Sequence, residues 1–164
     1  MILGLGNILL RDEGVGVRVI EAMQSINLPP GVELFDGATA GLDLLDAIAD
    51  RPKVIVIDAV DAPEAPGTVL QFTPQDLAPR NGQSVSLHEI GLLETLAVAK
   101  QLNIAPQEVV ILGVKPKDVA CGLDLSPEIA RLVPRIIELV LANLETRELQ
   151  PAASPGQQER VIPQ

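Results

Sequence analysis

The sequence predicts an α/β fold, a three-layer α/β/α sandwich whose twisted, mostly parallel sheet has about five strands flanked by helices. Apolar segments of strand length alternate along the chain with segments of helical periodicity, which is typical of parallel βαβ units. Residues 53–58 and 108–114 contain the continuous apolar runs VIVI and VVILGV. Runs of this kind are expected in strands that helices cover on both faces.

Length and composition indicate one domain with an aliphatic core. The chain has 164 residues, of which 47% are hydrophobic and only 1% aromatic. The core must therefore be built from Val, Ile, Leu and Ala. We expect a single domain over residues 1–149, followed by a polar, proline-bearing tail at 150–164 that is disordered. The single cysteine, Cys121, excludes an intramolecular disulfide and a CxxC metal site.

The N-terminal segment predicts a strand, a glycine turn and a helix. Residues 1–5 are apolar and form the first strand, and apolar residues at helical spacing predict a helix over residues 14–26. Asp12 stands where the N-cap of this helix is expected. Glu13 then lies in the first turn, where the helix dipole favours an anion.

The later elements are assigned by the same patterns. Residues 68–73 alternate apolar and polar side chains, which places this strand at the sheet edge, where antiparallel strands also occur. A long polar loop, residues 74–87, leads to His88. The other predicted elements are strands at 32–35, 53–58 and 108–114, a small helix with Leu42, Leu45 and Ile48 on one face, a helix at 90–102, and a last helix capped by Ser126 and Pro127 that runs to about 149 and breaks at Pro134.

Acidic residues follow the first three strands. They are Glu13, Asp36 and Asp58, and the only histidine, His88, precedes a later helix. Because the carboxyl ends of parallel strands meet at one edge, these side chains are expected to converge there. Two carboxylates and an imidazole can bind nickel or zinc with open coordination positions, or can act as a base and its orienting partners around a water. The spacing alone is no motif, because a strand-end Asp is often a cap and a loop histidine is often solvated.

Several other classes of function are disfavoured. A formal net charge of −10 argues against a nucleic-acid partner, which needs a basic surface. No apolar run approaches the ~18 residues of a membrane span, and the N-terminal run lacks a basic leader, so we expect a cytoplasmic protein without a membrane partner. Leu9 occupies the place of the third glycine in GxGxxG, and neither a Walker lysine nor a GxSxG elbow is present.

Five segments carry a family resemblance. GLGNILLRDEGVG, DGATAG, VIDAV, SLHEIG and ILGVKP follow one another in this order. Together they resemble the endopeptidases that mature the large subunit of nickel–iron hydrogenases, over about residues 1–144. The resemblance implies that Glu13, Asp58 and His88 are the catalytic and metal-contacting residues. It also implies that the DGATAG loop lines the substrate cleft, through Asp36, Gly37, Thr39 and Gly41.

The resemblance further implies an activity and a partner. A protein of this family removes a short C-terminal peptide from the hydrogenase large-subunit precursor after nickel insertion. The nickel is then supplied by the substrate, and no tightly bound resident metal is expected. Which carboxylate activates water stays open, and water activation by Asp58 or Asp36 without a metal is an alternative. Three other functions remain: a nickel-binding escort without peptidase activity, a related peptidase for another small substrate, and a nucleotide-binding domain.

Overall fold

The computed structural model describes residues 1–76 and 87–145, and for residues 87–90 it describes the backbone alone. In this part of the chain, two 3-10 helices, Arg11–Gly14 and Leu42–Leu44, accompany the strands and α-helices. These follow in the order β1 (Ile2–Leu5), α1 (Val15–Met23), β2 (Leu34–Ala38), α2 (Leu45–Ile48), β3 (Val54–Ala59), β4 (Val69–Phe72), α3 (Leu87–Gln101), β5 (Val109–Val114), α4 (Pro127–Ala130) and α5 (Val133–Glu145).

The sheet confirms the predicted α/β sandwich. Its strand order is β2-β1-β3-β5-β4. The first four strands in that order run parallel, and β4 pairs antiparallel with β5 at the edge, as the alternating pattern suggested. The loops that follow β1, β2, β3 and β5 therefore all emerge at one edge of the sheet. This carboxyl edge is where sites form in folds of this class.

Two separate apolar clusters, one for each face of the sheet, establish the three layers. On one face, Ile55 and Ile57 of β3 pack with α1 and α5. On the other face, Val56 packs with residues of α2 and α3. The continuous apolar run in β3 is thus explained by burial on both faces, because alternate side chains enter different clusters. No helix within the described ranges is long and apolar enough to cross a membrane.

Several element boundaries differ from the predicted ones. β2 continues to Ala38, because Asp36 pairs with Gly4 of β1, so Asp36 lies within the strand and not after it. The small helix begins as a 3-10 turn, which has fewer residues per turn than an α-helix, so the buried face differs from the predicted one. Leu42 is exposed, whereas Leu44 and Ile48 are buried. The helix α3 starts at Leu87, so its first turn contains the backbone of His88.

The C-terminal helices follow the prediction. Ser126 is the N-cap of α4, its hydroxyl accepts a hydrogen bond from the Ile129 amide, and Pro127 occupies the first turn. The predicted break in the last helix is confirmed, but it lies at residues 131–132: α4 ends at Ala130, α5 begins at Val133, and Pro134 occupies the first turn of α5. The predicted tail at 150–164 and most of the loop at 74–87 lie outside the described residues.

The start of α1 touches the sheet at the level of the backbone. A Cβ atom built on Gly16 would lie 2.1 Å from the carbonyl oxygen of Ile57 and 2.3 Å from that of Leu5. Only glycine permits such an approach between a helix and two strands. The contact places the 3-10 helix Arg11–Gly14 directly above the end of β3.

Asp12 does not cap α1, contrary to the prediction. Gly14 occupies the N-cap position without a side-chain hydrogen bond, and the Asp12 side chain is fully buried. Its Oδ2 accepts hydrogen bonds from the backbone amides of Lys117 (3.0 Å) and Asp118 (2.9 Å) and from the Ser126 hydroxyl (2.9 Å). Its Oδ1 accepts one from the Ser126 amide at 2.7 Å. Asp12 therefore fastens the loop after β5 to the turn after β1.

Replacing Gly16 by alanine is expected to lower the free energy of unfolding by about 3 kcal/mol, because the added methyl group meets backbone atoms that cannot rotate away. Gly41→Ala is the control, since the nearest atom to its Cβ, the Gly91 Cα, lies at an ordinary 3.8 Å. Urea denaturation of both variants measures the difference. Equal stability of the two variants would contradict the close approach.

Asp12→Asn is expected to cost about 3 kcal/mol or more, because the amide nitrogen would face donors where a carboxylate oxygen now accepts. The matched control is Asp43→Asn at an exposed position, where a change within about 0.5 kcal/mol is expected. Both values come from chemical denaturation. A loss below about 1 kcal/mol for Asp12→Asn would show that these hydrogen bonds do not hold the loop.

Candidate active site

Glu13 lies in the 3-10 helix after β1 and presents a carboxylate at the carboxyl edge of the sheet. The side chain is half-buried, and its Oε2 is buried without a hydrogen-bond partner among the described residues. Buried polar atoms are almost always paired, because an unpaired one loses its hydration without compensation. An oxygen left in this state is suited to accept a ligand that arrives from outside, such as a cation or a water.

Asp58 is the second predicted carboxylate, and it belongs to the centre of the sheet. It is the penultimate residue of β3, opposite Gly113 of β5, and it is only 2% exposed. Its Oδ1 accepts a hydrogen bond from the Ala59 amide at 2.8 Å. A carboxylate at the end of a buried apolar strand is costly for stability, which makes this position a candidate for function.

The structure places Glu13 and Asp58 on two elements that contact each other. The 3-10 helix containing Glu13 contacts β3, and the backbone of Gly16 lies against the carbonyl of Ile57, the residue before Asp58. The two acids therefore belong to adjoining elements at the carboxyl edge of the sheet. The sequence prediction that these two acids converge is consistent with this placement.

The backbone of His88 lies near this edge of the sheet. It lies in the first turn of α3, and a Cβ on Gly91 in the next turn would be 3.3 Å from the Gly41 Cα. The start of α3 thus packs against the end of the DGATAG loop. The imidazole lies outside the described side chains, so its approach to Glu13 and Asp58 stays a prediction. Among the side chains that are described, no group of three His, Cys, Asp or Glu residues is arranged to hold a metal.

The DGATAG loop forms one wall of a cleft at the carboxyl edge, and neither Glu13 nor Asp58 lines this cleft. The exposed Asp36 turns the chain, since its Oδ1 accepts a hydrogen bond from the Ala38 amide at 2.9 Å. The cleft has a volume of about 270 Å³ and is lined by Gly6, Asn7, Ile8, Leu9, Val17, Asp36, Ala38 and Thr39. Asp36 and Thr39 thus line the cleft, and their contact with substrate stays a prediction.

The two glycines of the predicted substrate loop are placed differently. Gly37 packs on β1, where a Cβ would lie 2.7 Å from the side chains of Leu3 and Leu5, and Gly41 packs on α3. Neither lines the cleft. Both hold the loop in position, and their contact with substrate stays a prediction.

The loop after β5, residues 115–126, is a part of this edge that the sequence analysis did not assign to the site. The Gly122 amide donates to the carbonyl of Leu9 at 2.9 Å, and the Gly122 carbonyl accepts from the Arg11 amide at 3.0 Å. The loop is thus paired with the segment that leads to Glu13. Its position after a buried parallel strand was the available signal, because every such loop emerges at the site edge.

Comparison with known proteins agrees with this fold. Residues 17–143 match the family model described as hydrogenase maturation protease, a range that begins after Glu13. The chain is 36% identical to hydrogenase 2 maturation protease of Escherichia coli over 146 residues, which cover 88% of this chain and 89% of that protein. It is 37% identical to the hydrogenase expression/formation protein HoxM of Azotobacter vinelandii, over 99% of this chain and 80% of the relative.

A solved structure shows the same architecture. The hydrogenase maturating endopeptidase HybD from E. coli superposes with a TM-score of 0.81 at 34% sequence identity, covering 89% of this chain and 91% of that one. The resemblance inferred from the five sequence motifs is thereby confirmed. The chain is a peptidase, and it belongs to the hydrogenase maturation protease family.

Proposed function

We propose that this protein removes a C-terminal peptide from the nickel-loaded large-subunit precursor of a nickel–iron hydrogenase, and that the precursor's nickel is the element it recognises. The observation that carries the proposal is the buried Oε2 of Glu13, which has no partner within the described part of the chain. Together with Asp58 on the adjoining strand, it offers carboxylate oxygens that can bind a cation. A divalent metal delivered by the substrate supplies one.

The donor set suits a metal that arrives with the substrate. Carboxylates and a neutral imidazole are acceptable ligands for nickel, but three protein ligands leave several coordination positions open. Thiolates of the precursor fill those positions when a loaded precursor docks. An unloaded precursor gains no such contact, so binding through the metal distinguishes loaded from unloaded substrate. No resident metal is needed between turnovers.

The chain's own residues then perform two tasks. Glu13, Asp58 and His88 hold the docked cargo so that the scissile peptide bond lies beside a Lewis acid, which polarises its carbonyl. A carboxylate that is not occupied by the metal takes a proton from the attacking water. Either Glu13 or Asp58 takes this role through an oxygen that the metal leaves free, and Asp58 or the exposed Asp36 is the base if the reaction does not require the metal.

Glu13→Gln is expected to lower the cleavage rate by at least about 100-fold, because the amide removes the charge that binds the cation or accepts the proton. Its stability should be unchanged or higher, since the variant no longer buries an unpaired carboxylate oxygen. Intact mass spectrometry of a nickel-loaded precursor mixed with each variant measures the loss of the C-terminal peptide. Asp58→Asn and His88→Ala are expected to behave in the same way as Glu13→Gln.

The control for these variants is Glu64→Gln, which alters an exposed glutamate after β3 and should cleave at the wild-type rate. The same experiment is repeated with nickel-free precursor, which should remain uncut. Cleavage by Glu13→Gln at the wild-type rate would remove Glu13 from the mechanism. If the wild-type protein leaves a cognate precursor uncut although its nickel loading has been verified, the result would favour a nickel escort over a peptidase.

The cleavage rate is expected to fall as the pH decreases from about 8 to about 5, because only the neutral imidazole of His88 can ligate a metal. At low pH a proton occupies the lone pair of the imidazole nitrogen, so this nitrogen can no longer bind the metal. Initial rates across this range, with loaded precursor held in excess, test it. A flat profile would exclude His88 as a ligand.

A further inference from the structure

Four large apolar side chains are exposed beside the cleft. Leu9 and Leu123 are each 60% exposed, Val119 is 52% exposed and Ile8 is 37% exposed. Here they are called the apolar rim. Ile8 and Leu9 follow β1, whereas Val119 and Leu123 belong to the loop after β5, and the backbone hydrogen bonds of Gly122 join the two segments. Two segments distant in sequence thus meet at the carboxyl edge, and both present exposed apolar side chains there.

The apolar rim is held in place before any partner arrives. Asp12 fixes both ends of the loop after β5 through its four hydrogen bonds. The Arg18 guanidinium donates to the carbonyl of Leu123 at 2.7 Å, and Arg11 pairs with Asp118 at 3.4 Å. Binding to a fixed surface costs less conformational entropy than binding to a loop that must first be ordered. This favours a docking role over incidental exposure.

We propose that the apolar rim docks an apolar segment of the hydrogenase precursor next to the bond that is cut. The proposal rests on the proposed function and adds a recognition surface to it. Ile8 and Leu9 belong both to the rim and to the lining of the cleft, so a chain that occupies the cleft contacts this part of the rim. A substrate segment with aliphatic side chains would bury the side chains of the apolar rim, and this burial would increase its affinity.

A second copy of this protein is a poorer occupant for the rim. Four aliphatic side chains offer a few hundred Å² of apolar surface, whereas a stable dimer buries about 800 Å² on each partner. A surface of this size is suited to a transient contact. An enzyme that must release its processed product after each turnover needs such a contact.

The test is a steady-state measurement with nickel-loaded precursor and the full-length double variant Leu9→Ser/Leu123→Ser. We expect KM to rise about tenfold or more while kcat stays within about twofold, because the lost contacts hold the substrate and do not take part in the chemistry. The matched control is Leu102→Ser, an equally exposed leucine (55%) just after α3 and far from the site edge. Leu9→Met/Leu123→Met preserves apolar area and should restore the wild-type KM.

Binding of the same precursor to each variant is measured in parallel by interferometry, and thermal melting confirms that each variant is folded. Should the double variant fail to fold, the single variant Leu123→Asn replaces it. An unchanged KM in a reaction that the wild type catalyses would overturn the docking surface and leave the proposed function intact. If the wild type does not cleave, weaker binding by the double variant alone still supports the rim, and equal or absent binding overturns it. A wild-type dimer in sedimentation that the double variant dissociates would assign the rim to self-association instead.

Discussion

The closest contact between α1 and the sheet determines where the site can form. The Gly16 backbone lies against the carbonyl oxygens of Leu5 and Ile57, and the Gly16 carbonyl oxygen would lie 2.3 Å from a Cβ on Gly4. With any larger side chain at these positions, the helix would have to move away from β1 and β3. The turn that carries Glu13 would then move away from Asp58. The close backbone packing at Gly16 therefore determines the position of Glu13 relative to Asp58.

The adjacent acids of the DE pair illustrate how environment divides structural from functional roles. Asp12 is buried with four hydrogen-bond donors around it, so its charge is compensated by the fold. Glu13, one residue later, retains a buried oxygen without any donor among the described residues. The first acid stabilises the edge, whereas the second reduces stability and leaves a position for an incoming ligand. Proteins retain such unfavourable groups where function requires them.

Local patterns in the sequence were sufficient for much of the fold and for part of the site. The continuous apolar run of β3, the alternation in β4 and the Ser126–Pro127 cap are local signals, and each was confirmed. Asp12 was misassigned as a cap because its four donors come from residues more than 100 positions away, which no local pattern reveals. The loop after β5 was not assigned to the site although its position after a parallel strand indicated it. Its pairing with the N-terminal segment through Leu10 and Gly122 is long-range and has no local pattern.

The proposed site separates two kinds of recognition that differ in strength and selectivity. The apolar rim can bind any precursor segment of suitable hydrophobicity, but its small area limits affinity, so it cannot by itself commit a substrate to cleavage. Under the proposed function, the metal contact through Glu13 and Asp58 would be available only when the precursor carries nickel. Because the two contributions to binding would add in free energy, an unloaded precursor would dissociate before cleavage, whereas a loaded one would remain long enough to be cut. A weak docking surface is therefore a requirement for selectivity, because a strong one would hold loaded and unloaded precursors alike.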